Sequence, residues 1–166
     1  GKIGNQIQFY PRNNNIFVMA ASDNRVYSWD IRSGEVVQEY NYHLKAANAI
    51  CFFEDGRKFL STSDDKKIHV WEWDIPVPIK TISEPEMCSM PYVAIHPSHS
   101  YIAGQHMDNT IVTYSCEHGK VKQVKKKTFS GLHNAGYACQ LDFSPNGKLL
   151  CSGDGQGHLL IWDWNG

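Results

Sequence analysis

Long apolar runs are missing from this sequence: the longest, Ile16 to Ala21, is six residues, against the roughly 20 that a membrane-spanning helix needs. A membrane span is therefore not expected. The first residues, Gly1-Lys2-Ile3-Gly4-Asn5, contain no apolar segment of signal-peptide length. Charge of one sign is missing too. Sixteen Lys plus Arg against seventeen Asp plus Glu leave a net charge of −1, so no global basic field draws the chain to nucleic acid. None of the cysteines at 51, 88, 116, 139 and 151 forms a Cys-x-x-Cys pair, and an odd number cannot all pair within one chain. Cys51, Cys139 and Cys151 fall in apolar, strand-like runs, where a free thiol behaves as a small buried hydrophobe. Free thiols and the absence of an Asn-x-Ser/Thr sequon fit a reducing intracellular compartment. Helical periodicity is absent as well. No window sustains a 3.6-residue apolar period, and Pro76, Pro78, Pro85, Pro91 and Pro97 exclude long helices through the middle of the chain.

What is present is repetition. Four segments align: SDNRVYSWD from Ser22 to Asp30, DDKKIHVWE from Asp64 to Glu72, MDNTIVTYS from Met107 to Ser115, and GQGHLLIWD from Gly155 to Asp163. In each, a polar turn precedes an alternating apolar run that ends on an aromatic. Those aromatics, Trp29, Trp71, Tyr114 and Trp162, stand 42, 43 and 48 residues apart. A second marker keeps the same phase, an apolar strand followed by a turn rich in Pro, Gly or Asn. Its aligned positions Phe9, Phe52, Ile95 and Phe143 are 43, 43 and 48 apart. Two independent markers sharing one insertion point to tandem duplication. Within the second unit the pattern predicts strands near 49–53, 59–63, 68–73 and 78–82, separated by turns at Glu54-Asp55-Gly56 and Asp64-Asp65-Lys66.

A four-stranded unit of this length, marked by Trp-Asp, resembles a β-propeller blade of the WD-repeat family. The fold expected is therefore all-β. It is a partial WD-repeat propeller over residues 1–166, with blades at approximately 6–42, 43–84, 85–130 and 131–166. The last blade lacks its outer strand. Roughly 4–8 blades close such a ring and the family usually has about seven, so a fragment of a longer propeller is expected. The open blade faces would be covered by remaining blades of the same protein or by self-association.

The resemblance implies a buried hydrogen-bond chain in each blade, from a His through a Ser or Thr and a turn Asp to the Trp. Such a chain would satisfy donors that blade packing removes from water. Carried over, the second unit supplies His43, Ser63, Asp65 and Trp71. The other units retain only parts, with Asp23 and Trp29 in the first, Asp108 and Tyr114 in the third, and Trp162 in the fourth, where Gln156 stands at the Asp position. Further stretches are more particular: Trp71-Glu-Trp-Asp-Ile-Pro76, Ala135-Gly-Tyr-Ala-Cys-Gln140, Asp142-Phe-Ser-Pro145 and Gly153-Asp-Gly155. In order and spacing they are similar to the propellers of a family of pre-mRNA splicing factors. That similarity implies a nuclear, non-catalytic scaffold acting around the second transesterification step, bound to other spliceosomal proteins. The alternative is an unrelated WD-repeat adaptor such as a ubiquitin-ligase substrate receptor. That role needs an arginine-lined pocket, and of Arg12, Arg25, Arg32 and Arg57 only Arg25 lies near a suitable turn.

Ser22, Arg25, Asp64 and Met107, at the turns before the third strands, are the candidate partner surface. Their chemistry differs from blade to blade, as a specific docking face requires. Lys120, Lys122, Lys125, Lys126 and Lys127 invite RNA phosphates, but on an outermost strand lysines also guard an exposed edge, and that reading is favoured. The histidines lack metal-ligand spacing. His96, His99, His106 and His118 sit in or beside turns and are expected to be solvated. Trp73 and Trp164, two residues beyond Trp71 and Trp162, share their side by strand alternation and are expected in the core. No cofactor, small-molecule substrate or metal is expected.

Overall fold

The computed structural model describes residues 2–166, and its chain divides into two compact units at Ser89/Met90. The first holds two antiparallel sheets. β1 (Gly4–Phe9), β2 (Ile16–Ala21), β3 (Val26–Asp30) and β4 (Glu35–Tyr40) form one, in chain order. β5 (Ala47–Phe53), β6 (Lys58–Ser63), β7 (Ile68–Glu72) and β8 (Lys80–Ile82) form the other, also in order. Alternating side chains from both sheets meet in a core of Val18, Ala20, Val26, Tyr40, Ala47, Ile50, Phe52, Phe59 and Trp71. Trp73 closes its margin, stacked on Tyr10 with ring centroids 3.8 Å apart.

In the second unit, β9 (Tyr92–Ile95), β10 (Tyr101–His106), β11 (Thr110–Ser115) and β12 (Lys122–Phe129) make a third ordered sheet. A one-turn 3₁₀ segment, Glu117–Gly119, links its last two strands. β13 (Leu141–Phe143), β14 (Leu149–Gly153) and β15 (Leu159–Asp163) form the fourth, of three strands. Ala103, Ile111, Phe129, Leu132, Leu141, Phe143, Leu150 and Trp164, drawn from both sheets and the segments beside them, build the core of this unit. Each sheet runs strand by strand through neighbouring hairpins, as the expected propeller blades do.

One backbone feature recurs in all four sheets. Five residues before each marker aromatic the chain turns left-handed, at Asn24 (φ 73°), Lys66 (φ 63°), Asn109 (φ 68°) and Gly157 (φ 87°). Asn and Gly tolerate that region and a lysine does so only at a cost. Lys66→Gly should therefore stabilise the chain by about 0.5–1 kcal/mol, read from the urea midpoint. An unchanged or lower midpoint would show that Lys66 is not strained there.

Two details differ from expectation. Cys139 and Cys151 are only partly buried, Cys151 within β14 and Cys139 outside the strands, because the segment before β13 runs without sheet pairing, whereas Cys116 is buried. His106 is buried and His96 is only partly exposed. His106 ends β10 inside the sheet at 4% exposure. His96 lies 2.9 Å through Nε2 from the Gly147 carbonyl and stacks on Trp164.

Candidate functional site

The second sheet contains a continuous buried hydrogen-bond chain. The Trp71 indole N–H donates to Ser61 Oγ at 2.9 Å. His43 Nε2 lies 2.8 Å from the same oxygen, and His43 Nδ1 lies 3.0 Å from Asp65 Oδ2. The proton positions follow from the two ends. An indole can only donate and a carboxylate only accepts. Ser61 therefore donates its O–H to His43 Nε2, and His43 donates through Nδ1 to Asp65. Asp65 also accepts the backbone N–H of Leu44 at 2.9 Å and of Lys67 at 3.0 Å. One carboxylate thus ties together the entry to β5 and the turn before β7.

The hydroxyl in this chain is that of Ser61, not Ser63. Trp71 pairs across the sheet with Phe59, and Ser61 pairs with His69. An indole leaning along its strand reaches Ser61, while Ser63 lies one same-face position further, at the strand end. Ser63 donates instead to the Lys45 carbonyl and accepts from the Asp65 N–H. Sequence reasoning also passed over His69, which is buried beside His43 with ring centroids 4.4 Å apart. Alternation on β7, two residues before Trp71, was the available signal.

Burial dominates the electrostatics. It pushes the pKa of His43 down, although Asp65 pulls the other way. It pushes His69 down to about 4, with His43 adding to the effect. For Asp65 burial raises the pKa, but the Leu44 N–H and the neighbouring His43 outweigh it and the net shift is downward. Below about pH 6.5 the unfolded chain binds protons on imidazoles that the folded chain keeps neutral. Stability is therefore full above about pH 6.5 and falls as the pH drops towards 4. A loss on the order of 2 kcal/mol between about pH 7.5 and about pH 5 is expected in urea titrations. A flat profile across that window would show that these imidazoles already accept protons in the folded chain.

The other sheets keep fragments of the chain. In the first, Asp23 Oδ2 accepts the Tyr27 hydroxyl at 2.6 Å, and the buried Trp29 indole nitrogen has no hydrogen-bond partner among the described residues. In the third, Asp108 accepts from the backbone and hydroxyl of Thr110, and Tyr114 is buried. In the fourth, Trp162 donates to the Ser130 carbonyl at 3.1 Å. The turn aspartate there is Asp154, not Gln156. Its carboxylate accepts the N–H groups of Gln156 and His158 and lies 3.1 Å from the His158 ring. Burial opposes ionisation, but the His158 N–H and ring hold its pKa at about 2.

On the candidate partner surface, Ser22 Oγ accepts the Ile3 N–H, and Arg25 pairs with Glu39 at 3.3 Å. Asp64 accepts from Asn48 at 2.8 Å and from Ser89 at 2.6 Å. Met107, in the second unit, is partly buried where β10 leaves the sheet. Arg25 is thus occupied, as are Arg12 with Asp55 and Arg32 with Asp30.

β12 is an edge strand and carries Lys122, Lys125, Lys126 and Lys127; Lys120 precedes it. Lys127 turns inward, its ammonium 3.8 Å from the centre of the Trp164 ring. Burial lowers its pKa. Lys127→Ala should cost about 1 kcal/mol through the lost cation–π contact, whereas Lys125→Ala and Lys126→Ala should each change stability by less than about 0.5 kcal/mol. Equal effects at all three in chemical denaturation would remove that distinction.

Phased antiparallel sheets, each with an aromatic one residue before the end of its third strand and an aspartate in the turn before that strand, define a WD-repeat β-propeller segment. The family described as "WD domain, G-beta repeat" matches residues 34–72 and 124–163. The chain closely resembles Pre-mRNA-processing factor 17. It is 53% identical to the human protein over 150 residues, covering 90% of this chain and 26% of that protein. With the Saccharomyces cerevisiae protein of the same name it shares 41% identity over 162 residues, 96% of this chain and 35% of that one. Mouse WD repeat-containing protein 25 is 26% identical over 165 residues, 95% of this chain and 31% of its own length. The chain thus spans about a quarter to a third of the length of these relatives.

Proposed function

We propose that this chain is the propeller part of a nuclear pre-mRNA splicing factor, serving as a non-catalytic scaffold around the second transesterification step. The observation that carries the reading is the 53% identity to human Pre-mRNA-processing factor 17 along 90% of the chain. The chemistry of the residues supports a binding role. The buried histidine and aspartate of the second sheet are consumed in holding the blade together. The exposed turns present polar side chains that differ from blade to blade, suited to recognising particular protein surfaces. Ser22, Arg25, Asp64 and Met107 are the proposed contacts, with blades approximately at 6–42, 43–84, 85–130 and 131–166. Lys125 and Lys126 guard the β12 edge in this reading.

Affinity purification of the protein from nuclear extract tests the proposal. Spliceosomal proteins and small nuclear RNAs should co-purify, and depletion should leave splicing intermediates stalled after the first step. Recovery of ubiquitin-ligase subunits without splicing components would favour the adaptor reading instead.

A further inference from the structure

β12 is the outer strand of the third sheet, and among the described residues no strand pairs with its other side. Its register with β11 is broken. Val112 faces Thr128 and Tyr114 faces Gln123, so residues 124–127 stand opposite Thr113 alone. That bulge carries Lys125 and Lys126, both exposed, and Lys120 and Lys122 are exposed just before it. Elsewhere Lys2, Arg12, Arg25, Arg32 and Lys58 each pair with a carboxylate. Among the described residues none of Lys120, Lys122, Lys125 and Lys126 does so. Four ammonium groups without a counter-charge thus fall within seven residues of a chain whose net charge is −1. Like charges this close raise one another's energy, and negative charge brought alongside relieves it.

We propose that the exposed edge of β12, together with Lys120, docks an acidic, extended segment of a partner protein. Charge chooses the occupant. A second copy of β12 would set lysine against lysine, which is how such residues guard an edge. A segment rich in Asp and Glu turns the same lysines from a barrier into an attraction. Its backbone can also pair with the strand edge beside the bulge, as strand-adding peptides do. Two carbonyls of β12 are engaged locally, Lys122 by the Ser115 hydroxyl and Lys125 by that of Thr128, so charge supplies most of the attraction at the bulge.

RNA fits this strip less well. Phosphates would meet the ammonium groups, but residues 120–128 hold no aromatic on which a base could stack. Phosphates also only accept, which leaves the carbonyls of a strand edge unanswered. Lys127 stands apart from the strip, because its ammonium is held over the Trp164 ring.

Fluorescence anisotropy of the protein with a labelled peptide of alternating Glu and Thr tests the proposal. Binding should saturate. Affinity should fall at least about tenfold as salt rises from about 0.1 M to about 1 M and the screening length shrinks from about 10 Å to about 3 Å. A peptide of alternating Gln and Thr should bind at least about tenfold more weakly. Lys125→Glu combined with Lys126→Glu should weaken the acidic peptide at least about 30-fold. Lys45→Glu, at an exposed position before β5, should leave its affinity within about twofold. Amide exchange on the unaltered protein locates the peptide without any variant, and added protection should fall within residues 120–129. Salt-independent binding, equal affinity for the Gln peptide, or protection confined to other strands overturns the proposal. So does a lack of saturable binding. Tighter binding of oligouridine, lost in the same double variant, would give the strip to RNA and overturn it as well.

Discussion

Trp164→Ala should lower the stability of the chain by about 3–5 kcal/mol, the range for truncating a buried tryptophan in a core that cannot collapse. Trp164 is 4% exposed. Its ring lies 4.9 Å from Phe143, 5.1 Å from His96 and 5.6 Å from Phe129. Lys127 caps the remaining side. Removing the indole therefore empties the middle of the second unit's core. It also strips the ammonium of its partner and His96 of its stacking surface. Trp164→Phe, which keeps a ring in the same place, should cost only about 1–2 kcal/mol. Urea unfolding followed by circular dichroism measures both. If the alanine variant loses less than about 1 kcal/mol, Trp164 is not a core residue, and a ligand-stacking role for its face returns.

The sequence made the repeat legible because strand alternation and turn chemistry are local. Trp29, Trp71, Tyr114 and Trp162 mark the third strands β3, β7, β11 and β15. In the second repeat the expected strands lie within two residues of β5, β6, β7 and β8 at both ends. What stayed hidden depends on reach and on length. Ser61 and Ser63 are indistinguishable by spacing, since both face the same side of β6. Only the lean of an indole along its strand selects one of them. Asp154 was overlooked because the fourth turn is longer. Asp23, Asp65 and Asp108 stand six residues before their aromatics, whereas Asp154 stands eight before Trp162. The longer Asp154–His158 connection still lets the carboxylate accept from backbone N–H groups of its own turn. His96 looked solvated because Pro97 announces a turn. Its ring points back from that turn onto Trp164, a contact 68 residues away in sequence. The left-handed residue five before each aromatic was obscured for another reason: Asn, Lys, Asn and Gly share a backbone conformation and not a side-chain class.

The same geometry ranks three substitutions in the second sheet. Asp65→Ala should be the most damaging of them, at about 3 kcal/mol. It strands three donors at once: the His43 ring N–H and the backbone N–H groups of Leu44 and Lys67. An unsatisfied buried donor costs about 1–3 kcal/mol. Leu44, at the surface, recovers part of its share from water. Ser61→Ala should follow at about 2 kcal/mol, because the Trp71 indole N–H and the His43 Nε2 lone pair lose their common partner inside the sheet. Ser63→Ala should cost about 1 kcal/mol, since its hydroxyl serves only the Lys45 carbonyl and the Asp65 N–H at a partly buried strand end. Asp65→Asn should fall between Asp65→Ala and the native chain. Its amide keeps an acceptor for the backbone but turns a donor towards His43 or forces the ring into its other tautomer. The order Asp65, Ser61, Ser63 in urea midpoints measured at pH 7.5 carries the claim. Ser63→Ala more destabilising than Ser61→Ala would move the hydroxyl of the chain back to the end of β6. The indole of Trp71 would then need another acceptor.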